Sequence, residues 1–191
     1  MDPRDDLIRH YRWLRQYGIN DSHSGNVSVR DGTRIWITPS GACADLLEPG
    51  DLVRVELNRA QDEAPPPGAS LDTPLHLAVY RRSPGAGAVI HSHGAHTVAM
   101  TLDGHDFAPP DFEGQLYFPR VPVLRIAYER YLQDSPAQIA DVLARFPIAV
   151  VRGHGVYAAG ADLNRAYKWT CSLELSARTA WLARLAGTLP D

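Results

Sequence analysis

The spacing of apolar residues along the chain predicts helices near both ends and in the middle. Leu7, Ile8, Tyr11 and Leu14 recur with a helical period from about residue 4 to residue 17, and Gly18 follows as a stop signal. Further helices are predicted at residues 70–82, 96–102, 134–145 and 162–185. Strand-like segments separate these helices, so an all-helical protein is excluded.

Alternating apolar and polar residues predict the strands. Residues 27–30 and 34–38 flank the turn signal Asp31-Gly32 and form a predicted hairpin, and residues 52–57 alternate in the same way. Shorter strands are predicted around His91 and His93, at residues 120–123 and at residues 148–151, whereas residues 103–119 are left unassigned. Hairpins with few crossover helices indicate an α/β protein with a central, mainly antiparallel or mixed sheet, rather than a doubly wound parallel sheet.

Composition narrows the class of protein. The length of 191 residues suits a single domain over residues 1–191, and a hydrophobic content of 45% is enough for a substantial core. A formal net charge of −3 without a basic block argues against a nucleic-acid partner. The polar N-terminus is unlike a signal peptide, and no apolar run approaches the roughly 20 residues of a membrane span. Cys43 and Cys171 lack metal-ligand spacing, so we expect a reduced, cytoplasmic protein.

Three histidines suggest a metal site. His91 and His93 follow an apolar pair and lie two residues apart, so on a strand their side chains project from the same face. His154 follows a second apolar strand and lies between two glycines, which let the backbone approach a ligand closely. Three imidazoles with a fourth position free are typical of a catalytic zinc. A histidine hydrogen-bonded within a core is the simpler interpretation of His154 alone, but we favour a metal site for the set of three.

Three turns could together bind a phosphate group. They contain Gly25 and Asn26, Ser40 and Gly41, and Ser70 at a predicted helix N-terminus. Backbone N–H groups and hydroxyls that converge in turns are suitable donors to an anion. Each turn alone is weak evidence, because the same residue types make ordinary turns.

Asp72 lies in the first turn of the second predicted helix. A carboxylate there commonly stabilises the helix N-terminus, which is the simpler interpretation. The alternative is a carboxylate that faces the metal, as a ligand or as a base in proton transfer. His76 lies four residues further on the same helical face, and we expect it to be a hydrogen-bonding partner rather than a metal ligand.

The unassigned region contains a second group of polar residues. Asp111 and Glu113 form a close acidic pair, and Tyr117 lies nearby. These side chains are either solvated or reach the active site of a neighbouring subunit.

The order of these motifs resembles the class II aldolase/adducin-head family. The matching segments are GNVS at residues 25–28, TPSG at 38–41, SLDTPLH at 70–76, HSH at 91–93 and HG at 154–155, and they cover nearly the whole chain. The resemblance implies a three-layer α/β/α domain and a homotetramer with active sites between neighbouring subunits. It also implies that the three histidines bind zinc, or another divalent metal such as Mn²⁺, Co²⁺ or Fe²⁺, while the three turns hold a substrate phosphate.

The activity that the resemblance implies is that of a metal-dependent aldehyde-lyase acting on a small ketose phosphate. In such enzymes the metal chelates a carbonyl and an adjacent hydroxyl and stabilises the enediolate formed when a carbon–carbon bond breaks. Alternatives within the family are a sugar-phosphate epimerase like L-ribulose-5-phosphate 4-epimerase, a decarboxylase or a dehydratase. A non-catalytic, adducin-like structural module is a further alternative, but the presence of all three histidines argues against it.

Three positions depart from the pattern of the family's fuculose-phosphate aldolases. The acid/base position carries Asp72, as in the epimerases, where the aldolases have a glutamate. Leu71 occupies a position where the family often has a second serine, so one phosphate contact is missing and a substrate without a phosphate becomes possible. We find no match for the tyrosine that both enzymes use near the C-terminus.

Overall fold

The described part of the chain forms a seven-stranded mixed sheet. A computed structural model of the protein describes residues 2–60 and 63–189, so residues 1, 61–62 and 190–191 of the predicted domain lie outside it. The strands are β1 (Asn26–Asp31), β2 (Arg34–Ile37), β3 (Val53–Glu56), β4 (Ala88–Ser92), β5 (Val123–Leu124), β6 (Ile148–Val151) and β7 (Gly155–Gly160). Their order is β3-β2-β1-β4-β7-β6-β5, and every neighbouring pair is antiparallel except β5 and β6.

Helices cover both faces of the sheet. They are α1 (Pro3–Gln16), α2 (Thr73–Arg82), α3 (Ala95–Met100), α4 (Phe112–Tyr117), α5 (Tyr131–Leu143) and α6 (Leu163–Leu185), with a 3₁₀ turn at Tyr128–Arg130. Leu75 of α2 and Ile139 of α5 belong to one core cluster, while Leu7 of α1 and Leu163 of α6 belong to a cluster on the opposite face. The predicted α/β/α layers and the mainly antiparallel, mixed sheet are therefore confirmed.

The central strands separate the two layers by the alternation of their side chains. Val27 and Val29 of β1 pack in the cluster that contains α1 and α6. Asn26 and Ser28 project from the other face of β1, toward α2, because successive side chains on a strand alternate. Next to β1, all residues of β4 are buried, as expected for a strand in the middle of a covered sheet. This central pair of strands carries the polar residues of the candidate site.

Several predicted elements are wrong in extent. The strand predicted at residues 120–123 lies instead at Val123–Leu124 and is preceded by an isolated bridge between Phe107 and Val121. The helix predicted from Asp134 begins at Tyr131, with Pro136 inside it. An ion pair of 2.7 Å between Arg130 and Asp134, four residues apart, supports this earlier start.

Two elements were not predicted from the sequence. Strand β7 contains Ala158 and Ala159 between terminal glycines, and alanine and glycine are weak strand formers. Helix α4 lies in the unassigned region and is only six residues long. Among the described residues, no helix combines the length and the apolar character needed to cross a membrane.

Candidate active site

The structure brings the three predicted histidines together. One ligand atom from each of His91, His93 and His154 lies within 4.8 Å of the other two. The Nε2 atoms of His91 and His93 are 2.9 Å apart. Two nitrogens bound to the same tetrahedral zinc ion lie roughly 3.4 Å apart, given bonds of about 2.0–2.1 Å. The cluster therefore has the dimensions of a site for one metal ion.

Each histidine reaches the cluster from the end of a strand. His91 belongs to β4 and His93 follows directly after the end of that strand, while His154 lies in the turn between β6 and β7. The next residue, Gly155, allows the strands to approach, since a Cβ atom there would lie 2.4 Å from the carbonyl oxygen of Ser92 and 2.7 Å from the His93 ring. A side chain at this position would therefore push His93 and His154 apart.

Surrounding contacts fix the orientation of the imidazoles, so that their nitrogens could hold a metal ion. His91 Nδ1 lies 3.1 Å from the carbonyl oxygen of Val156, so Nδ1–H donates and Nε2 is left as the ligand atom. The backbone N–H of His93 donates to Asn20 Oδ1 at 2.8 Å, which fixes the backbone beside the second ligand. Burial lowers the pKa of His91, His93 and His154 below the ordinary value, so the rings are neutral, as metal ligands must be.

Asp72 faces this cluster and does not serve as a helix cap. It occupies the N-cap position of α2, but its side chain makes no capping hydrogen bond. Instead, Oδ2 accepts a hydrogen bond of 2.9 Å from Asn26, and Oδ1 accepts one of 2.8 Å from Tyr131. Oδ2 also lies 3.9 Å from His91 Nε2. The carboxylate of Asp72 therefore lies beside the histidine cluster and makes no capping hydrogen bond.

The charge state of Asp72 follows from these contacts. Burial alone would raise its pKa, because a desolvated carboxylate is less stable when ionised. The hydrogen bonds from Asn26 and Tyr131 favour the ionised form, and the pKa of Asp72 lies below its ordinary value. The side chain is therefore an ionised proton acceptor at neutral pH.

Two tyrosines complete the site, and neither was predicted from the sequence. The Tyr131 ring packs edge-on against His154 with 4.6 Å between ring centroids, and the Tyr157 ring stacks in parallel on His91 at 4.2 Å. The two hydroxyl groups also contact each other. Burial raises the pKa of both phenols, so both remain protonated. Tyr157 is on the unpredicted strand β7, and Tyr131 lies before Asp134, where the sequence predicted the start of α5.

The three predicted anion-binding turns are neighbours beside the cluster. Asn26 pairs with His91 across β1 and β4, so Gly25 and Asn26 lie next to the histidines. A bridge between Pro39 and Ala69 joins the turn that contains Ser40 and Gly41 to the residue before Ser70. One donor in these turns already has a partner, because Ser40 N–H donates to the carbonyl oxygen of Gly68 at 2.9 Å. Ser70 Oγ accepts a bond of 3.3 Å from Asp72 N–H, which does not use the hydrogen of the Ser70 hydroxyl.

Asp111, Glu113 and Tyr117 do not join the site within this chain. All three are associated with α4, where Asp111 caps the helix by accepting a hydrogen bond from Gly114 N–H at 3.0 Å. Tyr117 packs edge-on against Trp169 of α6. Within residues 2–60 and 63–189, no hydrogen bond, ion pair or ring contact joins any of them to Asp72 or to the three histidines.

The comparison with protein families identifies the family of this chain. The model of the Class II Aldolase and Adducin N-terminal domain matches residues 5–181. The chain belongs to this family. The matched region contains the three histidines, Asp72 and the three turns, so the resemblance inferred from the motifs is confirmed.

Individual relatives within this family differ in activity. The crystal structure of l-fuculose-1-phosphate aldolase from Thermus thermophilus is 33% identical, with a TM-score of 0.85 over 98% of this chain and 97% of that one. The L-ribulose-5-phosphate 4-epimerase UlaF of Salmonella paratyphi B is 31% identical over 90% of this chain and 80% of its own. Methylthioribulose-1-phosphate dehydratase of Acidiphilium cryptum is 35% identical over 75% of this chain and 73% of its own.

Proposed function

We propose that the protein is a metal-dependent aldehyde-lyase that cleaves or forms a carbon–carbon bond in a small ketose phosphate. The observation that carries this proposal is the position of Asp72, an ionised carboxylate held by two donors beside three neutral histidines. A structural module would have no use for a buried acid that neither caps its helix nor forms an ion pair with a lysine or arginine. The similarity to an l-fuculose-1-phosphate aldolase supports the same activity.

His91, His93 and His154 would hold the metal, for which we propose zinc, with Mn²⁺, Co²⁺ and Fe²⁺ as alternatives. The residues fit such an ion, since three neutral nitrogens converge and the Val156 carbonyl directs His91 Nε2 into the cluster. Three protein ligands leave a position for substrate, as in catalytic zinc sites. When bound, the ion would supply Lewis-acid polarisation of the substrate carbonyl.

Asp72 would move the proton in this reaction. Its Oδ1 accepts from the Tyr131 hydroxyl and its Oδ2 accepts from Asn26, so both oxygens have fixed positions. In the cleavage direction the carboxylate would take the proton of the substrate hydroxyl as the bond to the leaving aldehyde breaks. Tyr131 donates its hydroxyl hydrogen to Asp72 and accepts that of Tyr157, so the two protonated tyrosines would hold the carboxylate in place and exclude water from it.

A phosphate group would bind to the neighbouring turns. Gly25, Asn26, Ser40, Gly41 and Ser70 are the residues that we propose for this pocket. Gly25 and Gly41 have φ angles of +70° and +69°, and these backbone conformations are most easily adopted by glycine. The exposed side chain of Leu71 leaves the pocket with one hydroxyl fewer than the family pattern.

We also propose a cytoplasmic homotetramer in which α4 contributes to the site of a neighbouring subunit. Phe112 and Leu116 on this helix are 86% and 66% exposed, so they are available to an interface. Asp111, Glu113 and Tyr117 on the same element are the candidates for the cross-subunit residue.

The second candidate function is a sugar-phosphate epimerase. The observation that favours it is the short side chain of Asp72, since the epimerase pattern has aspartate where the aldolase pattern has glutamate. The relative UlaF is 31% identical over most of both chains. A dehydratase activity, as in the relative from Acidiphilium cryptum, is a further alternative at the same site.

A substrate panel distinguishes these activities. Zinc-loaded protein would be incubated with L-fuculose 1-phosphate, L-ribulose 5-phosphate and methylthioribulose 1-phosphate, and products would be identified by NMR. The proposal expects dihydroxyacetone phosphate or glycolaldehyde phosphate to appear as a cleavage product. Inversion at one carbon without release of an aldehyde would favour the epimerase, and loss of water would favour the dehydratase.

A further inference from the structure

A chain of hydrogen bonds leads from Asp72 away from the histidine cluster and into the core between β1 and α2. Asn26 Nδ2 donates to Asp72 Oδ2 at 2.9 Å, and Asn26 Oδ1 lies 2.7 Å from His76 Nε2. The other ring nitrogen, His76 Nδ1, lies 2.7 Å from Ser28 Oγ, which in turn lies 2.7 Å from the Tyr80 hydroxyl. His76, Ser28 and Tyr80 are almost completely buried.

This row of hydrogen bonds forms because helix α2 and strand β1 present polar residues at nearly the same spacing. Asp72, His76 and Tyr80 are four residues apart along α2, a rise of about 6 Å. Asn26 and Ser28 are two residues apart along β1, a rise of about 6.8 Å. Side chains from the helix and from the strand therefore alternate, and each polar group has a partner within the apolar layer.

The direction of every bond in this chain is determined. The amide oxygen of Asn26 has no hydrogen, so His76 Nε2 must carry the proton. Burial lowers the pKa of His76 to about 4, so the ring is neutral and its Nδ1 can only accept. Ser28 therefore donates to Nδ1, and the Tyr80 hydroxyl donates to Ser28 Oγ. All four bonds point toward the carboxylate of Asp72.

We propose that His76 is a positioning residue that acts on Asp72 through the amide of Asn26. The Nε2–H tautomer holds the amide oxygen of Asn26, so the amide N–H group faces Asp72. A flipped amide would place its oxygen against the carboxylate and displace it. Ser28 and Tyr80 stabilise the tautomer from behind. This inference rests on the proposed role of Asp72 as the proton acceptor.

Two substitutions at one position test this role. His76→Leu removes the donor and leaves the amide of Asn26 free to flip, whereas His76→Gln keeps an N–H group near the position of Nε2. We expect His76→Leu to lower kcat about 10- to 100-fold, the usual effect of losing an outer hydrogen-bonding partner. KM and the bound zinc per chain should stay unchanged, and His76→Gln should recover most of the turnover on the substrate identified in the panel.

Tyr131→Phe is a matched comparison, because it removes the other hydrogen bond of Asp72 and leaves the hydrogen bonds from Tyr80 to Asn26 unchanged. It should lower kcat while the His76 ring keeps its tautomer. If His76→Leu and His76→Gln lose turnover equally, or only in proportion to their loss of stability, His76 has a structural role and the inference is wrong.

The unsubstituted protein provides a measurement that does not depend on folding of a variant or on activity. With ¹⁵N-labelled histidine, His76 should show the Nε2–H tautomer at neutral pH, with Nδ1 shifted as a hydrogen-bonded acceptor. An Nδ1–H tautomer would overturn the inference. If Asp72→Asn kept full turnover, the proposed role of Asp72 as proton acceptor would fail instead, whereas an inactive Asp72→Asn with a fully active His76→Leu would refute only this inference.

Discussion

The histidine cluster and the predicted anion-binding turns are neighbours, but their residues are held in different ways. In the cluster, side chains are fixed largely by other side chains: Asp72 by Asn26 and Tyr131, and His91 by stacking on Tyr157, with one backbone contact from the Val156 carbonyl oxygen to His91 Nδ1. In the turns, the backbone determines the geometry. Gly25 and Gly41 have positive φ angles, and Ser40 N–H is bonded to a carbonyl group.

The difference has a consequence for substitutions. A cluster held by side chains loses its chemistry when one side chain is replaced, because the partners of that side chain are left unpaired in a buried place. A pocket formed by backbone groups tolerates changes of its exposed side chains, away from the two glycines, and responds mainly in affinity. Large effects are therefore expected in the cluster and small ones in the turns.

The largest effect is expected from removing a metal ligand. His93→Ala leaves two histidines, too few for a catalytic zinc site. Protein purified without chelator should fall from about one metal ion per chain to well below that, with loss of turnover. Elemental analysis measures the content, and His105→Ala is a matched control outside the cluster. A His93→Ala protein with full metal content would contradict the assignment of this ligand.

Asp72→Asn should give the next largest effect. Asparagine can accept from Asn26 through its oxygen and donate to the Tyr131 hydroxyl, so the side chain fits, and no helix cap is lost. Turnover should fall roughly 10²- to 10⁴-fold, because the proton acceptor is removed. Steady-state kinetics and thermal unfolding measure the two properties. Normal turnover combined with reduced stability would show that Asp72 is structural, and the acid/base would then be sought at Asp111, Glu113 or Tyr117.

The buried histidines should make the metal-free protein sensitive to acid. The pKa of His76 is lowered to about 4, and burial lowers those of His91, His93 and His154 as well. Below an unfolded-state pKa of about 6.5 the unfolded chain takes up protons that the folded chain does not, so stability falls with falling pH. Each such histidine contributes on the order of 1 kcal/mol per pH unit.

Urea unfolding of the chelator-treated protein at several pH values measures this dependence. The free energy of unfolding should be steady above pH 7 and decrease between about pH 6.5 and pH 4. A free energy that is unchanged across this window would show that the histidines are not buried as neutral rings.

The smallest effect is expected in the turns. Leu71→Ser adds a hydroxyl between Ser70 and Asp72, at a side chain that is 69% exposed. Affinity for inorganic phosphate should rise on the order of 5-fold, since one hydrogen bond contributes about 1 kcal/mol. Leu71→Ala is the control, because it removes the apolar side chain without adding a donor. Equal affinity in the two variants would place the anion elsewhere.

The histidine cluster could be predicted because two of its histidines are close in sequence and the third has distinctive neighbours. His91 and His93 are separated by one residue next to an apolar run, and His154 lies between glycines at the end of another. The relation between Asp72 and His76 was also partly accessible from their four-residue spacing on a helix. Their connection through Asn26 was not, since it depends on how α2 lies against β1.

The two tyrosines could not be predicted from the sequence, for a physical reason. Tyr157 lies on a strand whose other positions include glycine and alanine, which carry little strand preference. Tyr131 opens a helix whose proline, Pro136, suggests a later start. Neither tyrosine belongs to a spaced motif, so only the folded chain brings them to Asp72.

The strand order has a consequence for how the site comes into existence during folding. Asn26 lies opposite His91 across β1 and β4, and β4 in turn pairs with β7, which follows His154. Such distant pairings close large loops and form slowly compared with local contacts. A chain synthesised only as far as His93, just beyond β4, holds two of the three histidines. The third arrives with the β6–β7 hairpin, so a metal ion held by all three histidines could bind only after the centre of the sheet is complete.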